Sequence, residues 1–443
     1  MGSLARTRAW AAVHRAELLT TLVVLVAFAV CYLAVLRTTS LYAPDTRYYA
    51  AMALRWTGIG ADAARDQVLA YTRHYGWATP PNSTLFGSGL VQPRVVYPLL
   101  SVPFVWLVGI RGMAVVPLVA MAVLVVWCLW LLRRRYGLGA ALAAVLLVVT
   151  SNYLMFFGTA MLTESLTALW CVAILAAVWR YQRRADGRWL AAAAGATVLM
   201  AFTRQAALIP AGALVVAWLG ALVLRDRPAR WGRPALTVGA TAVVVQVVQT
   251  LLFPSFSQLD HFLDKTGTTN LRDALAASPG LGGRILRADL ERFAATDRPL
   301  LTLIALATVA AVVLWRHSES HLLVGAFLAI TVYNVTNGTP TNFRYAMPGL
   351  VFYVVAVAAL LGRAMGAASG RLGRAEDPGA HRDEVDRGDD DHRDELREVR
   401  LAPDPDEGGD DPGRQGEVHD DEHDVAPQRA AAVPDAEHDR AVP

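Results

Sequence analysis

Apolar runs recur along the chain from residue 17 to residue 361, separated by short polar stretches rich in arginine. Runs of this length read as membrane-crossing helices. They fall at about 17–36, 113–132, 138–157, 166–179, 189–203, 206–224, 235–253, 299–315, 322–335 and 345–361. A further apolar stretch, 95–110, is short and broken by Pro98 and Pro103, and reads as a span or an interfacial, partly re-entrant piece. Arg133, Arg134 and Arg135 follow the run 113–132. Basic residues favour the cytoplasmic side, so that triplet is placed inside if 113–132 crosses and 95–110 does not. The expectation is an all-α polytopic membrane protein of about ten transmembrane helices.

The same rule orients the rest. Arg6, Arg8 and Arg15 precede the first run and put residues 1–16 in the cytoplasm. Each predicted inner loop carries arginine, as with Arg180, Arg183, Arg184 and Arg188, or Arg225, Arg227, Arg230 and Arg233. Two outer loops are long, 37–96 and 254–298. The first holds two predicted interfacial helices, 45–57 and 62–74, followed by a turn at Thr79-Pro80-Pro81-Asn82-Ser83. The second holds a predicted amphipathic helix, 281–293. The run 18–36 is too long for a signal peptide and no small-residue cleavage site follows it, so it is read as a retained span.

Composition supports this reading: 54% of residues are hydrophobic and 18% charged, beyond the apolar content of an ordinary soluble domain. A β-barrel would show short alternating segments instead. The net charge of +3 hides an asymmetry. From Arg371 to Pro443 there are 24 acids against 10 arginines, a net −14; the preceding residues carry 31 basic and 14 acidic groups, a net +17. The basic excess is read as topology, not as a nucleic-acid surface. Residues 366–443 are too poor in large apolar side chains to fold alone and read as a disordered acidic cytoplasmic tail, or as the product of a shifted reading frame. Its five histidines (His381, His392, His419, His423 and His438) show no metal-site spacing. A single lysine, Lys265, stands against 40 arginines, which points to a GC-rich, bacterial genome. Cys31, Cys128 and Cys171 lie in apolar runs and read as small hydrophobes.

The topology gathers conspicuous polar residues on one rim. Asp45 follows the first run, Glu164 the third, Arg204 the fifth, and Arg344 with Tyr345 the ninth. Pro44-Asp45-Thr46 supplies helix-start signals, and Asp45, Tyr48 and Tyr49 then share one helix face. Each residue taken singly also reads as a helix cap, an aromatic-belt residue or a snorkelling arginine. Together, two carboxylates and two guanidiniums suit general-base work beside phosphate recognition. No inverted repeat or mid-span charge pair of the transporter kind is evident.

Several stretches in this order resemble the GT-C glycosyltransferases, over about residues 15–363. They are APDTRYYAAMA (43–53), QPRVVYPLLSVPFVWLVG (92–109), WLLRRRYGLG (130–139), SNYLMFFGTAMLTESLTALW (151–170), AFTRQAALIP (201–210) and NFRYAMPGLVF (342–352). The resemblance implies a plasma-membrane enzyme that moves a sugar from a polyprenyl-phosphate donor to a glycan, lipid or protein acceptor on the outer face, as mannosyl- and arabinosyltransferases do. It gives Asp45 the role of general base and Arg204, Arg344 and, more weakly, Arg94 that of phosphate ligands. Glu164 would orient the acceptor or the sugar, with Tyr345, Tyr48 and Tyr49 nearby. Asp45 is followed by Thr46 rather than by a second acid, and the chain ends in a tail rather than a large outer domain. No cofactor is required; a metal-dependent variant would use Asp45 and Glu164 as oxygen ligands. The rival functions are a non-catalytic flippase of lipid-linked sugars and a membrane scaffold with an acidic interaction tail.

Overall fold

The computed structural model describes residues 2–75, 79–224, 229–254 and 257–375. The described residues are helical, with no strand among them. The helices are α1 (Gly2–Thr38), α2 (Thr46–Trp56), α3 (Ala61–Thr72), α4 (Asn82–Gly87), α5 (Val96–Val108), α6 (Val115–Tyr136), α7 (Leu138–Val149), α8 (Asn152–Thr159) and α9 (Glu164–Arg184). They continue as α10 (Arg188–Thr203), α11 (Leu208–Val223), α12 (Ala229–Leu252), α13 (Gln258–Thr266), α14 (Leu271–Thr296), α15 (Arg298–Val313), α16 (Ser318–Asn337) and α17 (Leu350–Ala375).

Four segments are long and apolar enough to cross a membrane: Arg15–Thr38, Val96–Tyr136, Arg230–Leu252 and Met347–Ala367. The bent pair Leu138–Val149 and Asn152–Thr159 makes a fifth if counted as one span. Arg188–Thr203, Leu208–Val223 and Arg298–Val313 are apolar but shorter. Large apolar side chains lie exposed on these helices, among them Trp106, Val223, Leu251 and Val312. Water does not favour such a surface; a bilayer does.

The structure corrects the sequence reading at several joints. The expected single span 138–157 is two helices meeting at 73°, broken at Thr150-Ser151. The carboxylate of Asp297 holds the bend. It accepts from the Ser151 hydroxyl and the Tyr153 amide, both at 2.8 Å, and from the Leu300 amide at 3.1 Å. One buried acid thus caps the starts of α8 and α15. The stretch 95–110 becomes α5 followed by a tight reversal. Gly112 packs on the Phe104 carbonyl so closely that a Cβ would overlap it, which requires glycine there. Asn82 and Ser83, expected in a turn, begin α4. The amphipathic helix of the second long loop runs far beyond 281–293, as α14, and α13 precedes it. The helix expected to end at 361 continues to Ala375, so 366–375 is helical; the rest of the expected disordered tail, like Arg225 and Arg227, lies outside the described residues.

Small residues set the packing that matters most for the site. Gly212 of α11 and Gly325 of α16 bring the two backbones into direct contact, and a Cβ on Gly325 would strike the Gly212 carbonyl. That approach packs α16 directly on α11, the helix that follows the joint at Arg204.

Candidate functional site

The site is assembled from four chain segments. The first is the loop from Leu41 to Thr46. Thr46 accepts from the Ala43 amide at 3.0 Å and donates to the Met161 carbonyl at 3.0 Å, while the Met161 amide donates to the Leu41 carbonyl at 2.9 Å. The loop after α1 is thereby tied to the loop before α9, and Asp45 is brought beside Glu164. Asp45 sits at the N-cap position of α2, but its side chain makes no capping hydrogen bond. It faces Arg344 instead.

The second segment is the start of α9. Glu164 has no exposed surface. Its Oε1 accepts from Arg204 Nη1 at 2.6 Å and from Arg344 Nε at 2.5 Å. The third is the joint after α10, where Arg204 has an extended backbone and is 1% exposed. Its Nε donates to the Tyr333 hydroxyl at 3.0 Å, and its guanidinium lies 4.6 Å from the centroid of the Tyr345 ring. The fourth is the loop after α16. Asn342 and Phe343 both take positive φ, 52° and 69°, a region that side chains rarely occupy. Asp289 of α14 accepts from the Asn342 amide at 3.1 Å, and Arg292 Nη1 donates to the Asn342 side-chain oxygen at 3.0 Å. This clasped loop presents Arg344, whose Nη2 donates to Asp45 Oδ2 at 2.5 Å.

One guanidinium, that of Arg344, therefore bridges Asp45 and Glu164. The four residues that the sequence singled out at four run ends form one contiguous ion network. Arg94 joins from the first loop. Its Nη1 donates to the Tyr49 hydroxyl at 2.9 Å, and Tyr49 packs edge-on against Tyr97 at 5.3 Å. Tyr97 in turn donates to the Met113 carbonyl at 3.1 Å. Arg94 is buried, and its Nε has no hydrogen-bond partner. Tyr345 packs against Tyr333 with ring centroids 5.2 Å apart and planes tilted by 48°. Tyr48 is the exception among the expected residues: it carries Arg47 over its ring at 5.2 Å and gives no hydrogen bond to the network.

Three guanidiniums (Arg94, Arg204 and Arg344) face two carboxylates, a local excess of one positive charge. Burial pushes the Asp45 carboxyl up, but Arg344, Arg94 and Arg204 pull it down by more, so it is held below its ordinary value. Both carboxylates raise the Arg344 guanidinium, and together they outweigh its burial. Asp45 remains partly open, with 29% of its side chain exposed, whereas Glu164 is closed off. Beside the network lies a cavity of about 350 Å³, mainly apolar, with Arg94 and Tyr333 at its polar side and Leu208, Val243 and Val247 along its walls. Among the described residues no three His, Cys, Asp or Glu side chains come together.

Sequence reasoning missed Tyr333, Asp289 and Asp297. Tyr333 ends an apolar run and looks like any interfacial tyrosine. Asp289 and Asp297 sit in a loop with several other acids, where nothing in the spacing marks which one is buried. Fold and site together define an all-α protein with apolar, membrane-type helices and a buried arginine–carboxylate network at one end of its helix bundle. No protein-family model matches the chain, and no curated protein matches it in sequence.

Proposed function

We propose that the chain is a membrane glycosyltransferase of the GT-C type, taking a sugar from a polyprenyl-phosphate donor. The observation that carries this reading is the excess guanidinium. Arg94 has a buried donor without an acceptor, at the mouth of an apolar cavity and next to a network that is one negative charge short. A buried charged donor left unpaired is costly, and a phosphate oxygen would relieve it. A phosphate attached to a long isoprenoid matches both the cation and the apolar wall. In this proposal the chain crosses the plasma membrane about ten times, with both ends cytoplasmic and the network on the outer face.

The division of labour follows exposure. Asp45, the open carboxylate, serves as the base. The acceptor hydroxyl loses its proton to an Asp45 oxygen as its own oxygen bonds to the anomeric carbon. The bond from that carbon to the phosphate oxygen breaks, and the electron pair leaves with the lipid phosphate. Displacement in one step inverts the anomeric centre. Arg344 passes from Asp45 toward the phosphate as charge grows there, which frees the base when it is needed. Glu164 touches no substrate here. It is a positioning residue that fixes Arg204 and Arg344, a different role from the orienting one implied by resemblance. A metal held by Asp45 and Glu164 would first have to displace Arg344 from both, so the arginine route is preferred.

The test uses the purified full chain with polyprenyl-phosphate mannose and polyprenyl-phosphate arabinose, following release of polyprenyl phosphate. Wild type should release it from one donor, and Asp45→Asn should lose about 10²–10⁴-fold in rate while still binding donor. The Asp45 carboxyl is held low in the free protein, so the acid limb of kcat/KM should lie below that of kcat, because in the donor complex the phosphate already adds negative charge beside Asp45 and shares its arginines. Equal release by wild type and Asp45→Asn with both donors would sink the reading.

A further inference from the structure

A second charged constellation lies at the other end of α9. Glu164 opens that helix and Arg183 lies near its close, roughly 28 Å along the axis at 1.5 Å per residue. There α6 also ends, in Arg133-Arg134-Arg135. The three arginines have different fates. Arg133 pairs with Glu17 of α1 at 2.8 Å. Arg135 pairs with Glu319 of α16 at 3.0 Å, and Tyr136 donates to the same oxygen at 2.9 Å. Arg134 has no carboxylate partner among the described residues and lies over Trp130, 5.0 Å from the ring centroid. Arg180 and Arg183 of α9 likewise have no carboxylate partner among them; Arg180 lies 4.5 Å over Trp189.

Arg134, Arg135, Arg180 and Arg183 surround one cavity of about 300 Å³, walled by Trp127, Trp130 and Trp179. Trp179 is buried, and its indole N–H has no acceptor. Arginines that only mark the inner end of a span snorkel apart toward water. These four line one shared space while keeping exposed heads; Arg135 is neutralised by Glu319, but Arg134, Arg180 and Arg183 are not, so the space carries an excess of positive charge that an anion would relieve. The set supplies planar forked donors from several directions, which suits the oxygens of a phosphate.

We propose that this cavity binds a phosphate group. The geometry favours the headgroup of an anionic phospholipid in the adjoining leaflet, because Trp130 lines the cavity and is also half-exposed on the apolar surface. Free phosphate shares the chemistry. The site is independent of the glycosyltransferase reading, and its test needs no activity.

The full chain is placed in nanodiscs of phosphatidylglycerol or of phosphatidylcholine, and lipid retained after transfer to neutral detergent is counted by native mass spectrometry. In parallel, inorganic phosphate is titrated calorimetrically into lipid-free protein. Wild type should retain phosphatidylglycerol over phosphatidylcholine. The combined change Arg134→Ala, Arg180→Ala, Arg183→Ala should lower that retention about tenfold or more, through loss of charge-assisted bonds. Trp179→Phe should lower it a few-fold, and Arg183→Gln serves the same purpose if the combined variant does not fold. Arg230→Ala with Arg233→Ala, outside the cavity, should leave retention unchanged. Phosphate binding that is lost in the cavity variants, with no lipid preference, would assign free phosphate as the source. Equal loss in cavity and control variants, or neither lipid preference nor phosphate binding in wild type, overturns the proposal.

Discussion

Glu164 is the residue on which the network closes. Its carboxylate serves two guanidiniums at once and has no access to water. Asp45 serves one and keeps 29% of its side chain exposed. Removing a buried partner strands the charges it neutralised, at a cost of about 3–5 kcal/mol, whereas a partly exposed pair contributes about 0–1 kcal/mol. Glu164→Ala should therefore cost several times more stability than Asp45→Asn, and Glu164→Gln should fall between them because its amide oxygen still accepts. Denaturant titration of the three variants in detergent measures this; equal costs for Glu164→Ala and Asp45→Asn would show that the network does not close on Glu164. Asp45, Glu164, Arg204 and Arg344 were all legible in the sequence, because the arginine pattern put their four run ends on one rim and away from the arginine-rich loops. Tyr333 was not legible. A tyrosine at such a position is ordinary, and its bond to Arg204 spans 129 positions, which no local pattern reports.

At the scale of elements, apolar pattern predicted where helices exist better than how they join. Nine of the ten expected runs each centre on one helix, but the run 138–157 bends by 73° within itself. A signal was present in Thr150-Ser151-Asn152, three polar residues that can cap, yet a run of apolar residues on either side masks it. What fixes the bend comes from 144 to 146 positions away, in Asp297, and no local pattern reports that. Asp297→Ala would remove three accepted hydrogen bonds from two helix starts. Capping losses run at about 0.5–2 kcal/mol each, so a total of about 1–4 kcal/mol is expected for the two helix starts. Hydrogen exchange should accelerate together at 152–154 and 298–301 while the glycine-packed pair α11 and α16 keeps its protection. Acceleration at only one of the two helix starts would refute the shared cap.

For the whole molecule the question is how many helices cross. Length and composition alone admit four, or five with the bent pair, because several helices are only 16 residues long and α9 ends in Arg180, Arg183 and Arg184. Yet a helix need not be long where its neighbours cover its ends, and the acid–arginine network lies in such a place: Arg204 closes α10 while Glu164 opens α9. The two helices pack side by side, so their opposite ends come together as well. At that far end stand Arg180, Arg183, Arg184 and Arg188, with Arg188 beginning α10. The short helices thus join two chemically distinct rims, one holding the buried acid–arginine network and the other an excess of arginine. In the proposed topology these two rims lie at two membrane faces, with the arginine-rich one on the cytoplasmic side. Single cysteines, introduced one at a time into a chain whose Cys31, Cys128 and Cys171 are changed to serine or alanine, test this by labelling whole cells with an impermeant maleimide. Positions Pro44, Asp273 and Thr339 should label from outside. Asp186 and Ser318 should label only after the cells are opened. Labelling of Asp186 from outside together with Asp273 would place both rims on one face and remove the basis for a ten-span protein.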